Sequence, residues 1–215
     1  IAGQSALFAI HQNNAFNEGE GGLGTVSGDK VIIAHAPIMP EYEGKKLSEI
    51  CDDFDLPEQQ AAEKLLSHEP HILAIIESMC EEDLVTILSN PYTMIGSDGV
   101  PATGANPHPR LYGCFPRVLG KYAREEKIIS MEDAIYKMTG LLSKKFNLND
   151  RGTIEIGKAA DLVVFNPDTV IDLATYENPR VYPEGIVHVI VNGTFVVNNS
   201  THTGSRVGKI IKRSS

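Results

Sequence analysis

An α/β fold that gives way to an all-β segment near residue 149 is what this 215-residue sequence predicts, on three observations. Up to residue 148, apolar residues at helical spacing alternate with short uninterrupted apolar runs, the pattern of helices set between buried strands. Beyond Asp150-Arg151-Gly152 the texture becomes β. Asn192-Gly193 then separates two apolar runs and is the strongest hairpin signal in the chain.

Each element has its own reason. Residues 17–24 (NEGEGGLG) read as an acidic, Gly-rich loop, and 31–34 (VIIA) as a strand bounded by Asp29-Lys30 and Pro37. Leu47, Ile50, Cys51 and Phe54 fall at i, i+3, i+4 and i+7 and predict one helical face. Pro57 suits the first turn of a second helix reaching about Ser67. The run 72–76 (ILAII) fits a buried strand, although periodicity alone does not separate it from a core helix. Ser78 with Glu81 forms a capping-box pattern that opens a helix striped by Leu84, Val85 and Leu88 and stopped at Asn90-Pro91.

Residues 93–96 (TMIG) are expected to form a short buried strand ending at Ser97-Asp98-Gly99. After a Pro- and Gly-rich loop over 100–109, residues 115–127 read as helical. The Ser130–Asp133 pair caps a further helix whose Ala134, Ile135, Met138, Leu141 and Leu142 share a face. Strands are expected at 160–165, 187–191 and 194–197, followed by a loose basic tail.

Composition excludes several classes. No run approaches the roughly 18 consecutive apolar residues of a membrane span, and the first residues lack the n- and h-regions of a secretion signal. The expectation is a soluble protein without a membrane partner. Nineteen Lys and Arg against 28 Asp and Glu leave a net charge of −9, which disfavours nucleic acid as a partner. Cys51, Cys80 and Cys114 are odd in number and widely spaced, so they read as reduced cysteines of a cytoplasmic protein rather than disulfides or a thiolate metal knuckle.

Asp98 is the first candidate for chemistry. A lone carboxylate directly after a buried strand and before a glycine stands where an α/β barrel puts catalytic groups. On spacing alone it is equally a solvated Asp-Gly turn. Arg110, 12 residues later in His108-Pro109-Arg110, would bring a guanidinium to the same cleft, and its planar fork suits a substrate carboxylate. A surface arginine bonded to loop carbonyls is the competing account.

The remaining motifs carry less. His68-Glu69-Pro70-His71 is one residue short of H-E-x-x-H, and Pro70 breaks the helix that motif needs. His35 reads as a hydrogen-bonded structural histidine, and His11, His188 and His202 have no companions at ligand spacing. Cys114 stands near Arg110 and Arg117 as a candidate thiol, with a buried reduced cysteine as the plainer reading. No complete metal site, phosphate loop or nucleophile elbow is legible.

The stretch Thr93-Met-Ile-Gly-Ser-Asp-Gly, followed by His108-Pro-Arg-Leu-Tyr-Gly-Cys-Phe-Pro-Arg-Val-Leu-Gly-Lys-Tyr, resembles the D-aminoacylase (N-acyl-D-amino-acid deacylase) branch of the amidohydrolase superfamily. So do Gly157-Lys-Ala-Ala-Asp-Leu-Val-Val-Phe-Asn-Pro, Tyr182-Pro-Glu-Gly-Ile and Val189-Ile-Val-Asn-Gly. The similarity runs from about residue 81 to the end, and the S-D-G and H-P-R pair is its most particular part.

The resemblance implies the C-terminal part of a metal-dependent (β/α)8 barrel with strands of a small β-sandwich beside it. Residues 1–75 would be an insertion or lid-like segment after the seventh barrel strand. Residues 76–148 would supply the last helix-strand-helix units, and 149–215 the sandwich strands and tail. Asp98 would be the general base and acid, and Arg110 would bind the α-carboxylate of an N-acyl-D-amino acid. Zinc would be the cofactor, bound by ligands upstream of this chain, with no metal ligand within it. The chain alone is then expected to be inactive, its partner being the rest of the barrel or a partner chain. Two alternatives stay open: a non-catalytic module lacking the metal site, and a related amidohydrolase acting on cyclic amides.

Overall fold

The computed structural model describes residues 2–6, 26–77, 79–99 and 107–211, which divide into two units. The first is drawn from Ile1–Leu84, Gly99–His108 and Tyr176–Pro179, and the second from Val85–Asp98, Pro109–Thr175 and Arg180–Ser215.

In the first unit three strands, β1 (Ala2–Ala6), β2 (Val31–His35) and β3 (Leu73–Glu77), form an antiparallel sheet in the order β1-β3-β2. The central position of β3 explains its uninterrupted apolar sequence, because residues on both of its faces are covered. Val31, Ile33, Ala74 and Ile76 pack with Leu47, Ile50, Ala61, Ala62 and Leu65. Ala34 and Ile75 pack on the other face with Ile32, Leu73 and Tyr176. This is the period-two division a strand imposes. β1, made of AGQSA, carries no β-branched residue and gave no signal in the sequence.

Helices α1 (Leu47–Phe54) and α2 (Glu58–His68) cover the first of these faces. The predicted stripe of α1 holds: Leu47 and Ile50 are fully buried, and Cys51 and Phe54 pack partly. Its first turn is closed by Glu49, whose Oε2 accepts the Lys46 N–H at 2.7 Å. Pro57 precedes α2 as expected, and Glu58 at the start of α2 accepts the Gly28 N–H at 2.7 Å. A Cβ at residue 28 would stand 2.8 Å from that carboxylate and displace it from the N–H. Burying side chains such as Ile33, Leu47, Ile50 and Leu65 contributes about 1.5–3 kcal/mol each.

The division between the units falls within α3 (Glu81–Ser89). This helix begins at Glu81, with Leu84 N–H donating to the Cys80 carbonyl at 3.4 Å, and Ser78, the expected cap, lies outside the described residues. The strand expected at 93–96 is a correction: these residues lie in no β-ladder among the described residues. A strand exists only through neighbours that take its hydrogen bonds. Here the Ile95 N–H goes instead to the Lys137 carbonyl, at 3.3 Å.

The second unit is built on helix α4 (Arg110–Arg117), which continues as a π-helical stretch over Val118–Glu125. The helix starts five residues before the predicted position because Pro109 (φ −51°) pre-sets the geometry of its first turn. Pro116 has no N–H for the Tyr112 carbonyl, and beyond it the ladder widens until Glu126 N–H donates five residues back to Lys121. Along one side of this helix lie Gly113, Arg117, Gly120 and Arg124. A Cβ at Gly113 would meet Asp172, and one at Gly120 would meet the Val170 carbonyl. Between the glycines Arg117 reaches Asp172 at 2.7 Å, and beyond them Arg124 donates to the Val170 carbonyl at 2.6 Å.

The predicted helix after Ser130 is in fact two, α5 (Met131–Met138) and α6 (Gly140–Phe146). The Ser130 cap forms as expected, accepting the Asp133 N–H at 3.0 Å. The break comes at Thr139 (φ −129°, ψ −85°), whose hydroxyl donates back to the Ile135 carbonyl at 2.7 Å. The apolar face is interrupted accordingly, with Ala134 buried and Ile135 exposed.

Strands β4 (Leu162–Phe165), β5 (Ile186–Val191), β6 (Thr194–Asn198) and β7 (Thr201–His202) form an antiparallel meander in that order. Asn192 (φ 47°) and Gly193 (φ 79°) make the two-residue turn the sequence signalled, both in the left-handed region that a right-twisted hairpin requires. An apolar hollow of about 590 Å³, lined by Phe115, Leu119, Met138, Leu162, Val189 and Val197 among others, lies in this unit. No helix among the described residues is long and apolar enough to cross a membrane.

Candidate functional site

Asp98 and Arg110 belong to the same unit, and their side chains meet. Arg110 is the first residue of α4, placed there by the helix start that Pro109 sets. Asp98 ends the irregular stretch that follows α3 and adopts φ 45°, a left-handed conformation that aspartate tolerates better than most residues. Arg110 Nη2 lies 2.8 Å from Asp98 Oδ2. The pair is lopsided: the arginine side chain is 16% exposed and the carboxylate 78%.

That asymmetry decides what the pair can do. With the carboxylate as the exposed partner, an incoming carboxylate can take its place on the guanidinium and keep that charge paired. The guanidinium carries five N–H donors and can hold an anion bidentately once its neighbour swings aside. Asp98, no longer paired, is then a carboxylate able to take up or release a proton.

Cys114 lies one turn beyond Arg110 on α4 and donates its thiol hydrogen to the Gly96 carbonyl, with sulfur and oxygen 3.6 Å apart. Burial pushes this thiol above its ordinary pKa, and the charge of Arg110 opposes that without cancelling it. Cys114 is therefore a protonated donor fastening the Asp98 segment to α4, not a thiolate nucleophile. The three cysteines are free thiols.

The other sequence candidates stay apart from this pair. His35 Nδ1 is 3.0 Å from Glu43 Oε1, the structural role expected of it. His68 ends α2 with Nδ1 2.8 Å from the Lys64 carbonyl oxygen, and Glu69 is buried and accepts the Ile38 N–H, so the H-E-P-H stretch forms no ligand set. His188 and His202 accept the N–H groups of Asn199 and Gly204. His11 lies outside the described residues. His108 belongs to the first unit, where its Nε2 is 3.4 Å from the Tyr176 hydroxyl. Among the described residues no group of three His, Cys, Asp or Glu side chains could hold a metal ion. Neither Asp98 nor Arg110 lines the large hollow of the second unit, whose apolar walls offer little to a charged ligand.

Two residues around the site escaped the sequence reading. Lys137, on α5, is 4% exposed and bonds to Asn90 and Thr93. A lysine on an otherwise apolar helical face, one turn after Ala134, was the available signal. Asp172, nearly buried, takes the Arg117 guanidinium from 55 residues away, and nothing local marks it. Burial works against the charged form of Arg117, but the Asp172 hydrogen bond and charge outweigh it and raise its pKa.

Comparison with known proteins gives a consistent picture. The model of the amidohydrolase family matches residues 61–197. The chain is 41% identical over 199 residues to the D-aminoacylase of Alcaligenes xylosoxydans xylosoxydans, an alignment covering 87% of the chain and 39% of that enzyme. Among solved structures it is similar to a crystal structure of D-aminoacylase, at 37% identity and a TM-score of 0.81, covering 95% of this chain and 40% of that one. It is also similar to the N-acyl-D-glutamate deacylase of Bordetella bronchiseptica, solved with zinc and a phosphonate mimic of the tetrahedral intermediate. There the identity is 34% and the TM-score 0.77, covering 91% of this chain and 37% of that one. The chain thus spans about two fifths of the length of the relatives it matches.

Proposed function

We propose, from the premise that this chain belongs to the amidohydrolase family, that it is the C-terminal part of an enzyme hydrolysing the amide bond of N-acyl-D-amino acids to a carboxylate and a free D-amino acid. The observation that carries the reading is the pairing of Asp98 with Arg110 at the head of α4, in a chain 41% identical to a D-aminoacylase. In this reading Arg110 grips the substrate's α-carboxylate, which orients the amide. Asp98 is released from the guanidinium as the substrate arrives, then accepts a proton from the attacking water and returns one to the leaving nitrogen.

Zinc is the cofactor we assign to the enzyme, since a related deacylase was solved with it. When bound, such an ion polarises the scissile carbonyl and acidifies water. The described residues do not form a site for it, so its ligands are assigned to other residues. We place the site at the open end of a (β/α)8 barrel completed by the rest of the enzyme, with residues 1–75 as an insertion after the seventh strand, 76–148 as the last barrel units and 149–215 as strands of the small sandwich. The three free cysteines support a cytoplasmic location.

The test is the Asp98→Asn variant of the full-length enzyme, assayed on N-acyl-D-amino acids with zinc content measured in parallel. Asparagine tolerates the left-handed backbone at 98, so the fold is kept. The expected result is loss of turnover by at least about 100-fold with unchanged zinc. Turnover at the parent rate would reject the assignment.

A further inference from the structure

We propose that Lys137 is a positioning residue that fixes where Asp98 stands, an inference that rests on the role given to Asp98 above. Residues 93–98 join no β-ladder among the described residues, and Asp98 closes the segment in a left-handed conformation. Among the described residues, side chains from two helices hold this segment.

The Lys137 ammonium, 4% exposed, donates to the Asn90 carbonyl, to the Thr93 carbonyl at 3.3 Å and to Thr93 Oγ1 at 3.1 Å. All three of its N–H groups thus have an acceptor. Asn90 follows the last residue of α3, so the ammonium also lies at the negative end of that helix. Backbone contact doubles the tie, because Ile95 N–H donates to the carbonyl of Lys137 itself. Downstream, Gly96 is held by the Cys114 thiol. The segment is thereby suspended from α5 at its beginning and from α4 at its end.

A buried charge on an apolar face is unfavourable unless its hydrogen bonds are met, and an uncharged side chain would fill the same space more cheaply. What an uncharged side chain cannot do is gather three oxygens from residues 90 and 93 onto one point. Without that point residues 90–95 slacken, and Asp98 loses its register against the guanidinium. A shift of about 1 Å in a proton-transferring group costs about 100-fold in rate.

The experiment compares Lys137→Met, Lys137→Arg and Thr93→Val in the full-length enzyme, with Asp98→Asn as control. Each is assayed on an N-acyl-D-amino acid and checked for folding by thermal unfolding. Lys137→Met is expected to lower kcat about 100-fold with KM changed less than about threefold, and Lys137→Arg, which keeps donors, to recover at least about tenfold of the loss. A purely structural lysine would lower Tm and leave kcat per folded molecule untouched. Folded Lys137→Met with parent kcat, beside an inactive Asp98→Asn, overturns the positioning role alone. Turnover retained by Asp98→Asn overturns both readings. Should Lys137→Met not fold, Thr93→Val decides: a lowered kcat supports the proposal and an unchanged one rejects it.

Discussion

Arg110 Nη2 and Asp98 Oδ2 stand 2.8 Å apart, one side chain nearly enclosed and the other mostly in water. The guanidinium is held in place by its position at the first turn of α4, whereas the carboxylate is free to leave it. In the proposed reading this pair exchanges its own carboxylate for that of the substrate.

Arg110→Lys keeps the charge and removes the fork. We expect KM for N-acyl-D-amino acids to rise about 10- to 100-fold, the loss of one charge-assisted hydrogen bond, with kcat lowered less. Steady-state kinetics on the full-length enzyme measure this, and a KM equal to the parent's would show that Arg110 does not hold the substrate.

Cys114 should give the protein an alkaline weakness. Its pKa is raised in the folded state, so between the ordinary thiol value of 9.0 and the folded value the unfolded chain loses a proton that the native chain keeps. The stabilising contribution is complete below pH 9.0 and is lost as pH climbs above it. Urea unfolding from about pH 8 to about pH 10.5 should show stability falling more steeply for the parent than for Cys114→Ala. Cys51, also raised by burial, leaves some slope behind.

Gly120→Ala places a methyl group against the Val170 carbonyl and Ile171. The π-helical stretch must back away, loosening the Arg124 bond to that same carbonyl. The expected cost is about 1–3 kcal/mol, read as a lower Tm, and an unchanged Tm would mean that the approach is not tight.

Ser130→Ala removes the side-chain oxygen that accepts the Asp133 N–H. Loss of a single N-cap lowers stability by about 1 kcal/mol, and Ser130→Thr, whose hydroxyl can also donate to the Asp133 carboxylate, should recover most of it. Chemical denaturation distinguishes the three proteins.

What was legible from the chain alone follows a physical rule. The α1 stripe, the Pro57 start of α2, the Ser130 cap and the Asn192-Gly193 turn were each readable because they depend on residues within one or two turns of one another. Asp98 and Arg110 were nominated by the S-D-G and H-P-R motifs, though spacing could not say that they touch. Residues 93–96 are half-buried or exposed and join no ladder among the described residues, because an apolar run does not name the neighbour that would cover it or make it a strand. Thr139 split a helix whose face looked continuous, through a hydroxyl bond that competes with the backbone ladder.

By itself, then, the sequence determined the local geometry of caps, turns and amphipathic faces, and the residue types from which a site could be assembled. Only the tertiary structure decided that Lys137 is buried against Asn90 and Thr93, that Asp172 receives Arg117, and that Arg110 faces Asp98. Those contacts join residues 12 to 55 positions apart, and their energy depends on burial and distance, which no window of neighbouring residues contains.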